Sequence, residues 1–521
     1  MQVNRRAIHR FRQVARLASA PVGFRARPLL LAGLLILAAL PGLWLAAPHT
    51  AAGPLADVSP SAQRSQMVEL QTYVPMLGSA LCNGPKTSSV FGVQMYTDTG
   101  RSSPYFAALQ ASGASWVRVN LAWSQVEPFN VSSALFDWTT TDRALRGAAQ
   151  ACVNIVAVID SSPWWAAPTA HAPLFPEAYD DFAAFVVALV ERYDGDGWLD
   201  APGAIVIRHW EFYNEPDIGP QPGGSGWGEH GAQYAEMLKW VYPAVKNADA
   251  GAQVLFGGIS YDWFTEDGGV FIRTFLDDVL KAGGGDYFDI MNFHYYPSNR
   301  RAWTQSNSNG LVEKTAAVRA KLAEYGLDKP IAITEAGWHN NTGTVFDTSD
   351  EIQSRYVVQL FTQAMALDVE VMIWWMLYDP TSYPFATGLV TASDPPSVKP
   401  AYGVFQGAAS RLQDAEFKAT LTITETKHPD VEAYRFYDPS LDHTFYVAWL
   451  NPVNTVQARP LQVAGETAHL YGLDNVLSAF VRDADDGSTD GQVTVQVGGS
   501  PIYIVINQTS PESGDGDAAL E

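Results

Sequence analysis

The chain has 521 residues, of which 47% are hydrophobic and 17% charged, with 42 Gly and 32 Pro. That length suits one large domain plus a smaller one, and the apolar content excludes a disordered, collagen-like or disulfide-stapled chain. Lys+Arg number 33 against 55 Asp+Glu, a net charge of −22; so acidic a body repels phosphate backbones and argues against a nucleic-acid partner.

The N-terminus reads as an address. Arg5, Arg6, Arg10, Arg12, Arg16, Arg25 and Arg27 precede an uninterrupted apolar run from Leu29 to Ala47, long enough to span a bilayer as a helix. Basic residues before it and a neutral stretch directly after it place the N-terminus in the cytoplasm and the body outside. Small residues at Ala46, Ala47, Ala51 and Ala52 suit signal-peptidase cleavage, and an uncleaved anchor is the competing expectation. Residues 1–52 are therefore a signal peptide or membrane anchor, and 53–80 a linker. The membrane is a partner only through this segment, if it is uncleaved. Two cysteines follow, Cys82 and Cys152. They pair, as an exported protein permits, or remain buried thiols.

From Ser89 the chain repeats one phrase: a β-branched or aromatic run, a loop, an amphipathic helix. The runs are SVFGVQMY (89–96), SWVRVNLAW (115–123), NIVAVIDSS (154–162), IVIRHWEFYNEP (205–216), AQVLFGGIS (252–260), FDIMNFHYY (288–296), PIAITEAGW (330–338) and VEVMIWWMLYD (369–379). Near-continuous apolar strands alternating with helices signal a parallel sheet buried on both faces. Eight of them predict a closed α/β architecture, the (β/α)₈ TIM barrel, over 81–412. An open doubly wound sheet is the structural alternative, but no Gly-rich phosphate turn follows the first run. Beyond 412 short alternating strands (FKATLTIT, EAYRFYD, HTFYVAWL, SAFVRD, GQVTVQV, PIYIVIN) predict a C-terminal β-sandwich over 413–507. The acidic tail 508–521 is expected to be disordered.

In such a barrel, functional residues sit at the C-terminal strand ends. Two carboxylates stand there: Glu215 closes the fourth run in WEFYNEP, and Glu335 closes the seventh in IAITEAGW. A single strand-end Glu is most simply an ion-pair partner. Two on facing walls with aromatics between them are the equipment for glycoside hydrolysis, one protonating the leaving oxygen and the other attacking the anomeric carbon from roughly 5–5.5 Å away. Glu211 lies four residues earlier, roughly 13 Å deeper at about 3.3 Å per strand residue. It reads as a structural carboxylate paired with Arg118 or Arg208. No cluster has metal-ligand spacing, so neither a metal nor an organic cofactor is expected.

N-E-P on the fourth strand, T-E-x-G-W on the seventh, R-V-N on the second, H-x-Y on the sixth and Trp on the eighth together resemble clan A glycoside hydrolases. The W-E-x-x-N-E-P phrase and the trailing sandwich look most like family 39 (β-xylosidase and α-L-iduronidase relatives) or family 5-like enzymes. The resemblance covers about residues 85–505. It implies a carbohydrate substrate, Glu215 as general acid/base, Glu335 as nucleophile and net retention of configuration. It further implies that Arg118 and Tyr296 steady the Glu335 anion, that Asn214 grips the sugar 2-hydroxyl, and that His294 shapes the acid/base environment or is a core histidine. Trp374 is expected to floor the sugar subsite while Trp375 faces the helices. Trp164, Trp123 and Trp338, with Tyr96, are candidate cleft-lining rings. A transglycosylase with the same dyad and a non-catalytic polysaccharide-binding surface protein are the alternative functions. Oligomeric state is not legible.

Overall fold

Eight parallel strands form one sheet around the protein's axis: β1 (Phe91–Gln94), β2 (Trp116–Ala122), β3 (Asn154–Asp160), β4 (His209–Phe212), β5 (Gln253–Leu255), β6 (Met291–Tyr295), β7 (Ile331–Ala336) and β8 (Val369–Trp374). In this computed structural model the residues described are 89–506, apart from 97–101, 132–135, 204, 222–223, 297–309, 343–347, 382 and 452–456. The ladder order is β5-β4-β3-β2-β1-β8-β7-β6. Parallel bridges Leu255↔Ile290 and Ile259↔Phe293 join its two ends, so the sheet curls into the expected barrel. The apolar N-terminal run, Cys82 and the acidic tail lie outside the described residues. Cys152 is disulfide-bonded. Among the described residues no helix is long and apolar enough to cross a membrane.

Each strand run leads into a helix that covers the sheet. Helix α4 (Tyr179–Arg192) buries Tyr179, Phe182, Phe185, Val186, Leu189 and Val190, the i, i+3, i+4, i+7 spacing that turns one stripe to the core. Helix α8 (Asp350–Ala366) starts at Ser349, whose side chain accepts the Ile352 N–H at 3.2 Å, with Asp350 and Glu351 in its first turn; cap and charges both favour a helix N-terminus. Inside the barrel, Trp116, Val156, Leu255, Ile290, Ala332, Val371 and Ile373 form a small buried apolar plug. Those side chains mark which residues of β2, β3, β5, β7 and β8 point inward, and they place polar residues one layer higher towards the C-terminal ends.

The C-terminal part is a six-stranded antiparallel sheet faced by a two-stranded ribbon. Its strands are β9 (Glu416–Thr420), β10 (Val431–Asp438), β11 (His443–Leu450), β12 (Arg459–Ala464), β13 (Thr467–Tyr471), β14 (Leu477–Arg482), β15 (Gln492–Val497) and β16 (Ile502–Ile506). The sheet order is β9-β10-β11-β16-β13-β14, and β12 pairs only with β15. Strands β12 and β13 do not stand out in the sequence. Pro460 weakens the strand signal of β12, and is tolerated because that strand has a single partner. Leu461, Val463, Val493 and Val495 of the ribbon pack on Val431, Ala433, Ala448 and Ile504. The sheet's other face, with Tyr434, Trp449 and Tyr503, joins the barrel's core, and Gln363 of α8 donates to Glu432 of β10 at 3.0 Å.

Candidate active site

Strand alternation alone would not aim the two glutamates together. On β4, His209 and Glu211 point inward, His209 packing edge-on against Trp116 of the plug, while Trp210 and Phe212 join the outer core. Tyr213 (φ 63°) and Glu215 (φ 44°) then adopt left-handed backbone, a conformation few non-glycine residues take. The kink turns Tyr213 outward into the core and lets Asn214 and Glu215 follow it at the mouth. On β7, register shifts against both neighbours mark a bulge, which re-aims side chains locally. Thr334 and Glu335 consequently both face inward, with Glu335 opposite His294.

Arg118 ties these residues into one block. It is wholly buried, and all five of its N–H donors are engaged. Nε reaches Glu211 Oε2 at 2.9 Å; Nη2 reaches Glu211 Oε1 at 2.8 Å and Asn214 Oδ1 at 2.7 Å; Nη1 reaches Gln94 Oε1 at 3.0 Å and Glu335 Oε1 at 2.7 Å. Glu211 is thus the deep partner of Arg118, whereas Arg208 pairs with Asp249. One guanidinium spans Glu211 and Asn214, closer than a straight strand would bring them. Tyr296 donates to the other Glu335 oxygen, Oε2, at 2.8 Å. Both oxygens of Glu335 therefore accept hydrogen bonds, one from a guanidinium and one from a phenol.

Glu215 sits in the opposite electrostatic situation. Its side chain is 14% exposed, and burial followed by the negative charge of Asp262 pushes its pKa up to about 7, against the pull of Arg118 and Lys314. His294 Nδ1 lies 3.2 Å from Glu215 Oε1 and 3.6 Å from Glu335 Oε2. Burial drives the imidazole pKa down to about 4, so the ring is neutral near pH 7. Its tautomer follows from its other neighbours. Asn292 Oδ1 accepts the Thr334 N–H, so Asn292 Nδ2 donates to Thr334 Oγ1, which in turn donates to Glu211 Oε1 at 3.3 Å. Thr334 Oγ1 is left as an acceptor for His294 Nε2–H, 3.3 Å away. Nδ1 then presents a lone pair to a protonated Glu215.

The donor atoms of Glu215, His294 and Glu335 all lie within 4.8 Å of one another. A carboxylate–imidazole–carboxylate set at that spacing has the ligands for a divalent cation. Here, however, the Arg118 guanidinium already contacts Glu335 at 2.7 Å and opposes a second positive charge beside it. The arrangement suits a proton donor facing an anion better than a metal centre.

The aromatic expectations need correction. Trp374 points outward: it is 1% exposed and its Nε1 donates to Thr387 O at 3.1 Å. Because Val371 and Ile373 face the barrel interior, the inward residue is Trp375. Its ring meets Tyr383 edge-on at 5.2 Å and neighbours the Tyr96 side chain. The exposed Glu370 on the same strand is the sequence signal that Trp374 shares an outer face. Trp123 is 1% exposed and packs on Trp165, Phe182 and Phe185; it is core between barrel and α4. Trp338 is buried against His339 and Tyr356 of α8. Trp123 does not line the cleft. Trp164 is 75% exposed on the loop after β3, while Trp165 packs inward. Tyr383, from the loop after β8, is a mouth residue with no sequence motif; its hydroxyl is pushed up to about 12, first by burial and then by the charges of Glu215 and Glu335.

No protein-family model matches the chain, and no curated protein sequence does. Solved structures do share its fold. A family 39 glycoside hydrolase from the gut symbiont Bacteroides cellulosilyticus WH2 matches with a TM-score of 0.61 at 19% identity over 80% of each chain. A glucosidase from Croceicoccus marinus matches at 0.56 and 16% identity, covering 81% of this chain and 96% of that one. The catalytic domain of GH30 xylanase C from Talaromyces cellulolyticus matches at 0.54 and 16% identity, covering 82% and 99%. At these identities the likeness establishes the fold; the chemistry rests on the side chains just described.

Proposed function

We propose that this protein is a retaining glycoside hydrolase that cleaves O-glycosidic bonds of oligo- or polysaccharides by double displacement. The observation that carries the reading is the approach of Glu215 and Glu335 oxygens to within 4.8 Å across the barrel mouth. A retaining pair stands at about 5–5.5 Å, whereas an inverting pair needs about 6.5–9.5 Å to admit a water. The two environments divide the roles: Glu215 holds a proton to near neutrality, and Glu335 is steadied as an anion by Arg118 and Tyr296.

In the first step Glu215 gives its proton to the glycosidic oxygen while Glu335 Oε attacks the anomeric carbon, so the C–O bond breaks as the glycosyl ester forms. In the second, Glu215 takes a proton from water, whose oxygen displaces Glu335. Asn214 has its Oδ1 held by Arg118, which leaves Nδ2 as the donor for the sugar 2-hydroxyl. Trp375 is the aromatic floor of the subsite in this reading, and Trp164 a stacking platform further out. The N-terminal Arg-rich and apolar segment makes the enzyme an exported one, acting outside the cell or at its surface.

The test is trapping with 2-fluoro activated aryl glycosides, read by intact mass and peptide mapping. An adduct on Glu335 in the wild-type chain, absent in Glu335→Gln with its fold unchanged by circular dichroism, is the expected result. Turnover by Glu335→Gln at near wild-type rate would refute the nucleophile assignment. Continued transfer of the trapped sugar to an added sugar in place of water would make the protein a transglycosylase.

A further inference from the structure

A third carboxylate stands in the cleft, outside the dyad. Asp160 is the last residue of β3, on the same inward face as Val156 of the plug, and it is partly exposed. Its Oδ1 accepts from Ser161 Oγ at 2.7 Å and its Oδ2 from Asn120 Nδ2 at 3.3 Å. Asn120 Oδ1 accepts from Gln94 Nε2 at 2.8 Å, and Gln94 Oε1 accepts from Arg118. A line of neutral amides therefore orients Asp160 from the same guanidinium that holds Glu335, yet no cation touches it among the described residues. Tyr96 and Tyr213 lie near enough that its charge adds to the burial that keeps both phenols protonated.

The surrounding charges are already spent. Every N–H of Arg118 has a partner inside the block. Lys314, the other cation acting on Glu215, is held by Ser260 O and by Asp262 Oδ2 at 2.8 Å. Against them stand Glu211, Glu335, Asp160 and Asp262. A carboxylate oxygen with free lone pairs and no cation beside it is suited to accept hydrogen bonds from hydroxyl groups, and a cleft with this excess of acidic side chains repels a second anion.

We infer that Asp160 binds the sugar beside the scissile bond through its hydroxyl groups, and that this subsite takes an uncharged glycone and rejects one bearing a carboxylate. The inference rests on the glycosidase reading above and names the substrate class for that site.

The experiment compares aryl glycosides in matched sets, pentoside, hexoside and hexuronide of one configuration, with singly deoxygenated analogues of the best substrate. The enzymes are wild type, Asp160→Asn, Asp160→Ala and Glu335→Gln. Wild type is expected to prefer the neutral member by about a hundredfold or more in kcat/KM. Asp160→Asn should lose about ten- to two-hundredfold on it, the worth of a hydrogen bond to a charged group. One deoxy analogue should cost wild type a similar factor and cost Asp160→Asn almost nothing, a coupling that a purely structural role would not produce; the wild-type half of that comparison needs no variant to fold. Unchanged kinetics in both Asp160 variants, or a hexuronide preferred over its neutral partner, would overturn the inference while leaving the dyad standing if Glu335→Gln is dead. No turnover of any glycoside and no 2-fluoro adduct would overturn both.

Discussion

The elevated pKa of Glu215 has a thermodynamic cost that can be measured apart from catalysis. Its carboxyl moves from 4.5 to about 7 on folding, which at about 1.4 kcal/mol per unit is on the order of 3 kcal/mol in favour of the neutral form. Between those two pH values the folded state binds a proton that the unfolded state has released. Stability therefore falls as pH rises through that window, and above about 7 the full cost is present. Glu215→Gln keeps the shape and cannot ionise. At pH 5 the variant and wild type should melt within about 1 °C of each other. At pH 8 the variant should be more stable by up to ~3 kcal/mol; for a body of roughly 400 residues the unfolding entropy is about 0.8 kcal/mol per degree, so its melting point should rise by ~3–4 °C. Asp217, pushed up to about 7 by burial and in part by the charge of Glu215, makes both proteins lose stability with pH, and the difference between them reports Glu215 together with its repulsion of Asp217. The assay is scanning calorimetry at fixed scan rate at both pH values, alongside kcat/KM, whose alkaline limb in wild type should fall near pH 7. A melting-point difference that does not change between pH 5 and 8 would refute the claim that Glu215 is held neutral by its surroundings.

Three further outcomes follow from the site. Trp375→Ala should lower kcat/KM by tenfold or more while Trp374→Ala leaves it within a fewfold, although both rings are buried and each truncation should cost about 3–5 kcal/mol of stability; kinetics on the folded variants separate inner from outer ring. Tyr296→Phe should lower kcat by about 10²-fold on activated substrates by removing one of the two donors to Glu335, and steady-state kinetics showing no loss would sever that role. Dialysis against EDTA should leave activity within twofold of the untreated enzyme, because Arg118 already supplies the positive charge at Glu335; loss of activity restored by a divalent cation would instead make Glu215, His294 and Glu335 a metal site.

Much of this molecule is legible in one dimension. Eight apolar runs separated by helices with 3.6-residue stripes determine a parallel sheet covered on both faces, because such strands are stable only that way, and their number favours the barrel over an open sheet. Placing Glu215 and Glu335 at strand ends then puts them at one rim, since parallel strands all end on the same side. The sequence offers Arg118 or Arg208 as the partner of Glu211, and only the structure chooses Arg118. What the sequence does not determine is phase. Simple alternation would turn Glu335 away if Thr334 faces in; the β7 bulge, visible only through its shifted registers with β6 and β8, brings both inside. The left-handed Tyr213 and Glu215 do the same for the acid/base end of β4. Adjacent tryptophans at 374 and 375 differ only in parity, and parity is set by which neighbours fill the plug. Trp123 looks like a cleft residue until the helix that buries it is in place. Local sequence determined the elements and the chemistry available at their ends, while the closing of the barrel decided which side chains face the cleft, because inward and outward differ by one residue in a strand.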